Sequence, residues 1–135
     1  MGCAFTPSMC AKCVEELQVY QKALDAADAV SAILKRPSFQ RDHKLRDQLG
    51  ASSGAVPALI ADGFPQSTDR FFAQLLYRSK GESCETRTHL RVARGRDYIT
   101  EEELTALYDR YNEIEKMLTG LIRHLEKENR RHRGS

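Results

Sequence analysis

Between Val14 and Leu34 the apolar positions fall at Val14, Leu17, Tyr20, Leu24, Ala27, Val30 and Leu34. Steps of three and four place them on one face of a helix. Pro37 ends that helix, and a second one starts from a cap at Ser38 or, after a short loop, at Asp42. It runs through SSGAVPALIADGFPQS, Ser52 to Ser67, as far as Asp62, where Gly63 supplies a stop. Ser67 or Thr68 then caps a third helix with a stripe of Phe71, Phe72, Leu75, Leu76, Ser79, Ser83, Thr86, Leu90 and Ala93. The middle of that stripe is small and polar. A close helix approach or a hydrogen-bonded layer is expected there, with Thr86, Thr88 or Glu85 as members.

Residues 95–99 read as a turn, and Thr100 with Glu103 forms a capping box that places three acids on the positive end of a fourth helix. Leu107, Tyr111, Ile114, Leu118, Leu121 and Leu125 follow at steps of four, three, four, three and four, a heptad seam. Four helices joined by short links imply an all-α, antiparallel up-down-up-down four-helix bundle, and no strand pattern competes.

The second helix is the one that local propensity opposes. Gly50 and Gly54 each cost about 1 kcal/mol relative to Ala, and Pro57 about 3, so tertiary packing has to supply roughly 5 kcal/mol. Burial of Val56, Leu59 and Ile60 at about 1.5–3 kcal/mol each meets that need. The small run from Gly50 to Ala55 is expected to let a neighbouring backbone come close. Pro57 removes the partner of the Ser53 carbonyl and is expected to kink the helix.

With 135 residues, 41% hydrophobic and 30% charged, the chain is sized for one core. Its divisions are a flexible leader over 1–13, the bundle over 14–126 and a basic tail over 127–135. No run approaches the roughly 18 apolar residues of a membrane span, and the N-terminus lacks the pattern of a signal peptide, so a cytoplasmic location and no membrane partner are expected. Cys10 and Cys13 form one C-x-x-C without a matching second pair, and Cys3, Cys84 and the four histidines give no ligand spacing. No metal is expected. MGCAFT fits the loose myristoylation pattern, against the plainer reading of a poorly ordered leader.

Net charge is only +2, but it is zoned. Residues 78–96 carry six basic groups against two acids, 97–115 seven acids against Arg110, and 116–135 six basic groups against two acids. Catalytic chemistry finds no support: there is no Gly-rich phosphate loop, and no Glu precedes a His by three as a bundle di-metal site requires. The chain reads as a non-enzyme without a cofactor, with Asp62 weighed as a lone acid and preferred as a cap or polar anchor.

Val56-Pro57-Ala58-Leu59-Ile60-Ala61-Asp62-Gly63-Phe64 resembles the second-helix signature hydrophobic-Pro-x-Asn-Ile-Ala-Glu-Gly-Phe of the four-helix-bundle proteins named for intervening sequences of bacterial 23S ribosomal RNA. LQVYQKA (Leu17 to Ala23) is similar to the opening Leu-x-Val-Trp-x-x-Ala of that family. RFFAQLLYRSKGESCETRTHL and YITEEELTALYDRYNEIEKMLTGLI are similar to its last two helices. The resemblance covers roughly residues 14–126, with Pro57, Ile60, Asp62 and Gly63 as its structural signature. Leu59 stands where the family usually has Asn, Asp62 where it has Glu, and Gly50-Ala51 where Arg-Arg is common.

The resemblance implies a bundle without known enzymatic activity that self-assembles as a homopentamer, like the accessory variability proteins of diversity-generating retroelements. It also implies an adaptor that contacts RNA or DNA, or else a structural module whose partner is another protein. The residues expected to meet phosphate are Arg123, Lys127, Arg130, Arg131 and Arg133, with Arg87, Arg91, Arg94 and Arg96 second. Against the second set, antiparallel packing sets Arg91, Arg94 and Arg96 beside Glu101, Glu102 and Glu103. Base reading is not expected, because no aromatic side chains interleave with these cations in sequence.

Overall fold

The computed structural model describes residues 14, 17–64 and 68–134. Helix α1 spans Gln18–Leu34, α2 Pro37–Arg41, α3 His43–Gly63, α4 Asp69–Gly95 and α5 Glu101–Gly134, with no strand among the described residues. The leader over 1–13, with Cys3, Cys10 and Cys13, and the alternative cap Ser67 lie outside them. Pro37 does more than end α1: it opens the short α2 at its first position, where a missing N–H costs nothing. Asp42, the later of the two expected starts, caps α3, its Oδ1 accepting from the Leu45 N–H at 3.3 Å. Thr68 caps α4 in the same way through the Phe71 N–H.

The four long helices form a bundle in which α3 packs on α4, α4 on α5, and α1 lies against both α3 and α5. Cross-helix contacts give their directions. Ser52 meets Thr86 and Val56 meets Ser79 between α3 and α4. Ser83 meets Glu115 and Tyr77 meets Glu126 between α4 and α5. Lys22 meets Glu113 in α5, and Arg36, just past the end of α1, meets Glu103. Each pairing rises on one helix and falls on the other, the antiparallel register that short links require.

Helix α3 runs through Pro57 and buries Val56, Leu59 and Ile60, together with Pro57 itself. The polar middle of α4 forms the expected hydrogen-bonded layer against it. Ser79 Oγ donates to the Val56 carbonyl at 2.8 Å, and Thr86 Oγ1 bonds to Ser52 Oγ at 2.8 Å, all four residues being buried. Thr88 and Glu85 stay outside this layer: Thr88 is exposed and turns back on its own helix, and Glu85 faces His89.

The small run of α3 works differently from the sequence expectation. Ser52 and Ser53 are the residues that face inward, whereas a Cβ on Gly54 would meet nothing within 4 Å and one on Gly50 only an ordinary contact with Leu34. The close approach is at Gly63, where a Cβ would lie 2.4 Å from Phe72 Cδ1. Gly63 ends α3 without a positive φ, so its value lies in the missing side chain.

Two apolar faces are rotated from their expected positions. The buried face of α1 is Val19, Ala23, Ala26, Val30 and Ile33, and the stripe through Leu17, Tyr20, Leu24 and Ala27 is only half-buried. In α5 the buried seam passes through Ile122 in place of Leu121. Tyr111, fully buried in that seam, has no hydrogen-bond partner for its hydroxyl among the described residues, and burial pushes its pKa up.

The α4–α5 end of the bundle is closed by local hydrogen bonds. Asp97 adopts φ 63° and completes a left-handed helix stop, its N–H donating to the Arg94 carbonyl and that of Tyr98 to the Ala93 carbonyl. The capping box is formed as expected: the Thr100 N–H donates to Glu103 Oε1 at 2.9 Å and the Glu103 N–H to Thr100 Oγ1 at 3.1 Å. Glu103 also accepts both ends of the Arg36 guanidinium, which bonds the Tyr98 carbonyl as well. Asp42 accepts from the Tyr98 hydroxyl at 2.9 Å and from Arg96. Residues 36, 42, 96, 98 and 103 thus tie the α1–α3 corner to the α4–α5 turn.

Two predictions follow from this packing. Gly63→Ala destabilises the fold by about 1–3 kcal/mol through overpacking against Phe72, whereas Gly81→Ala, in exposed open space in α4, stabilises it by about 0.5–1 kcal/mol; urea unfolding measures both. The Arg36 hydrogen bonds, then the Thr100 N–H, hold the Glu103 carboxyl down at about 2. Tyr98 first, with Leu45 and Arg96, lowers that of Asp42. The stability these carboxylates contribute is complete above their ordinary range near pH 4.5 and disappears as pH falls toward 2. Unfolding midpoints measured from pH 6 to 2.5 show this loss, and Glu103→Gln makes the profile shallower.

Candidate nucleic-acid interface

The basic residues singled out from the sequence divide into two groups once their neighbours are placed. In the α4 set, Arg87 is bound into the structure: its Nε donates to Glu115 Oε2 at 2.7 Å and its Nη2 to Oε1 at 2.9 Å, a two-pronged pair. Ser83 Oγ donates to the same carboxylate at 2.7 Å, Cys84 Sγ lies 3.4 Å from it, and Arg87 Nη1 bonds the Tyr108 hydroxyl at 3.1 Å. The hydrogen bonds that Arg87 donates to Glu115 push its pKa above the ordinary value. Arg91 sits over the Tyr108 ring, 5.4 Å from its centroid. Arg94 pairs with Glu101 as the antiparallel packing requires, and with Asp97. Arg96 pairs with Asp42, a partner 54 residues away. Their charge is largely answered inside the protein.

The α5 set is arranged otherwise. Helix α5 is 34 residues long and continues as helix through 127–134, the stretch the sequence sets apart as a tail. At 1.5 Å per residue it spans roughly 50 Å and outruns α1, which spans about 25 Å. Arg123, Lys127, Arg130 and Arg133 are exposed and take part in no ion pair among the described residues. Arg131 pairs with Glu128 at 3.4 Å, one turn away.

The fold adds cations that sequence reasoning passed over. An open groove of about 480 Å³ between α4 and α5 is lined by Lys80, Lys116 and Arg123 together with Thr119 and Gly120. Neither Lys80 nor Lys116 has an ion-pair partner among the described residues. Glu115 also lines the groove, its carboxylate already held by Arg87 and Ser83. Further along the same pair of helices, a second cavity of about 310 Å³ brings Arg70 and Tyr77 of α4 against Arg130 and Arg133 of α5, with the acids Asp69 and Glu126. Arg70, Lys80 and Lys116 were missed because their significance depends on which helix face meets which; the only signal in the sequence was the antiparallel seam.

Of the signature positions, Pro57, Ile60 and Gly63 are buried and Asp62 is exposed. No group of three His, Cys, Asp or Glu side chains converges on a metal-sized site among the described residues. None of their helices is long and apolar enough to cross a membrane.

Residues 15–120 match the family model described as 23S rRNA-intervening sequence protein. The chain belongs to that family. The match takes in Lys80, the Arg87–Glu115 pair and Lys116, and stops short of Arg123, Arg130 and Arg133, so the basic end of α5 lies beyond the family's common part. The fold is similar to a crystal structure from Bacteroides thetaiotaomicron of a protein with unknown function from the S23 ribosomal protein family. The two share 23% identity and a TM-score of 0.70, over 77% of this chain and 97% of that one. No curated protein matches the chain.

Glu115→Ala removes the partner of a guanidinium that is only 21% exposed and destabilises the bundle by about 3 kcal/mol. Urea unfolding measures the loss, and destabilisation by less than about 0.5 kcal/mol would show that Arg87 is not held structurally.

Proposed function

We propose that this protein is a non-catalytic cytoplasmic adaptor that binds RNA or DNA along the α4/α5 groove. One observation carries the reading: Lys80, Lys116 and Arg123 line one groove between α4 and α5, Arg70, Arg130 and Arg133 line a second further along, and none of these cations has an ion-pair partner among the described residues. Taken as one track, they suit phosphates spaced along a strand and discriminate little between sequences. Lys127 and Arg131 contribute to the general field, and Arg87, Arg91, Arg94 and Arg96 serve the fold.

Self-assembly belongs to the same reading. Its support is the family resemblance, which points to a homo-oligomer and within that to a pentamer. A purely protein-binding module is the outcome if no nucleic acid is held.

Titration of labelled RNA and duplex DNA at rising salt tests the proposal. Affinity falls with salt along a logarithmic slope of about −0.7 to −0.9 per phosphate contacted, and changing Arg130 and Arg133 together to Ser lowers that slope by about 1–2. Mass measurement in solution, with and without nucleic acid, reads the assembly. Absence of binding at low salt overturns the nucleic-acid reading, and a monomer at every concentration overturns the self-assembly.

A further inference from the structure

The cavity at the first turns of α4 differs from the rest of the track in having an aromatic wall. Tyr77 is 52% exposed, and its hydroxyl donates to Glu126 Oε2 at 3.3 Å, which orients the ring on the α5 side. Gln74 from α4 and Asn129 from α5 line the same cavity, their side-chain amides making no hydrogen bond among the described residues. Arg70, Arg130 and Arg133 line it as well. An exposed ring, two free amides and three guanidinium groups around about 310 Å³ form a combination that phosphate binding alone does not require.

We propose that this cavity holds one unpaired base of a single strand, so that the ligand of the α4/α5 track is single-stranded nucleic acid. The inference rests on the phosphate-binding reading and narrows it. Tyr77 offers its face for stacking, which every base accepts. Gln74 and Asn129 each present a donor and an acceptor to a base edge, a contact that needs the base free of its pairing partner. Arg130 and Arg133 hold the phosphates on either side, with Arg70 opposite them. Asp69 and Glu126 also line the cavity and offset part of the positive charge of its three arginines. A duplex, with its bases stacked inward, reaches only the cations. The sequence hid this arrangement because Tyr77 and Arg130 lie on different helices and meet only across the antiparallel packing.

The test is fluorescence anisotropy with an unstructured twelve-nucleotide RNA and the matched duplex, using the full chain at several salt concentrations. Single strand is expected to bind at least about tenfold tighter than duplex. Tyr77→Ala lowers single-strand affinity about tenfold without changing the salt slope, while Tyr77→Phe retains it. Arg130→Ser with Arg133→Ser instead reduces the slope for both ligands. Equal binding of the two forms, or an unchanged affinity in Tyr77→Ala, overturns the base pocket while leaving the phosphate track intact. Equal affinity for a phosphorylated peptide of the same charge also overturns it. Failure of both nucleic acids to bind at low salt overturns the track itself, and with it the pocket.

Discussion

The approach of α3 to α4 is the constraint around which the bundle is arranged. Gly63 leaves room for the Phe72 ring, and the hydroxyls of Ser79 and Thr86 tie α4 to the Val56 carbonyl and to Ser52. These contacts hold a helix whose own residues oppose it, since Gly50, Gly54 and Pro57 weaken it locally and the burial of Val56, Leu59 and Ile60 compensates. Because the layer is hydroxyl-to-backbone and hydroxyl-to-hydroxyl, it sets the height of α4 against α3. That height then sets α4 against α5, and so which cations face one another across the groove.

Much of this was legible in the residues, and the exceptions have physical causes. Caps read well because each is a short-range hydrogen bond between fixed positions: Asp42 with Leu45, Thr68 with Phe71, and Thr100 with Glu103 all form. Faces read less well. Helix α1 carries two apolar stripes, and nothing local says that Val19, Ala23 and Ala26 are fully buried while Leu17, Tyr20 and Leu24 are only partly so. On α5, Leu121 and Ile122 lie about equally far to either side of the line through Leu118 and Leu125, so spacing alone does not say that Ile122 is the one buried.

The candidate interface shows the same division. Arg123, Arg130 and Arg133 could be named as a basic run, but Lys80, Lys116, Arg70 and Tyr77 enter only through the packing of α4 on α5. Conversely Arg96, a second-rank phosphate candidate otherwise expected beside Glu101, Glu102 and Glu103, is taken by Asp42, far away in sequence. Charge composition counts cations, and the fold decides which of them still face solvent unpaired.

Helix α5 buries no residue after Leu125. Its last turns therefore draw little on the core, and a helical stretch without tertiary burial is marginal in water. Arg130, Arg131 and Arg133 sit close together there and repel one another, a cost relieved when anions neutralise them. The terminal turns thus tighten or fray with the ionic surroundings, and the length of ordered helix becomes a quantity that ligand charge controls while the bundle beneath it stays as it is.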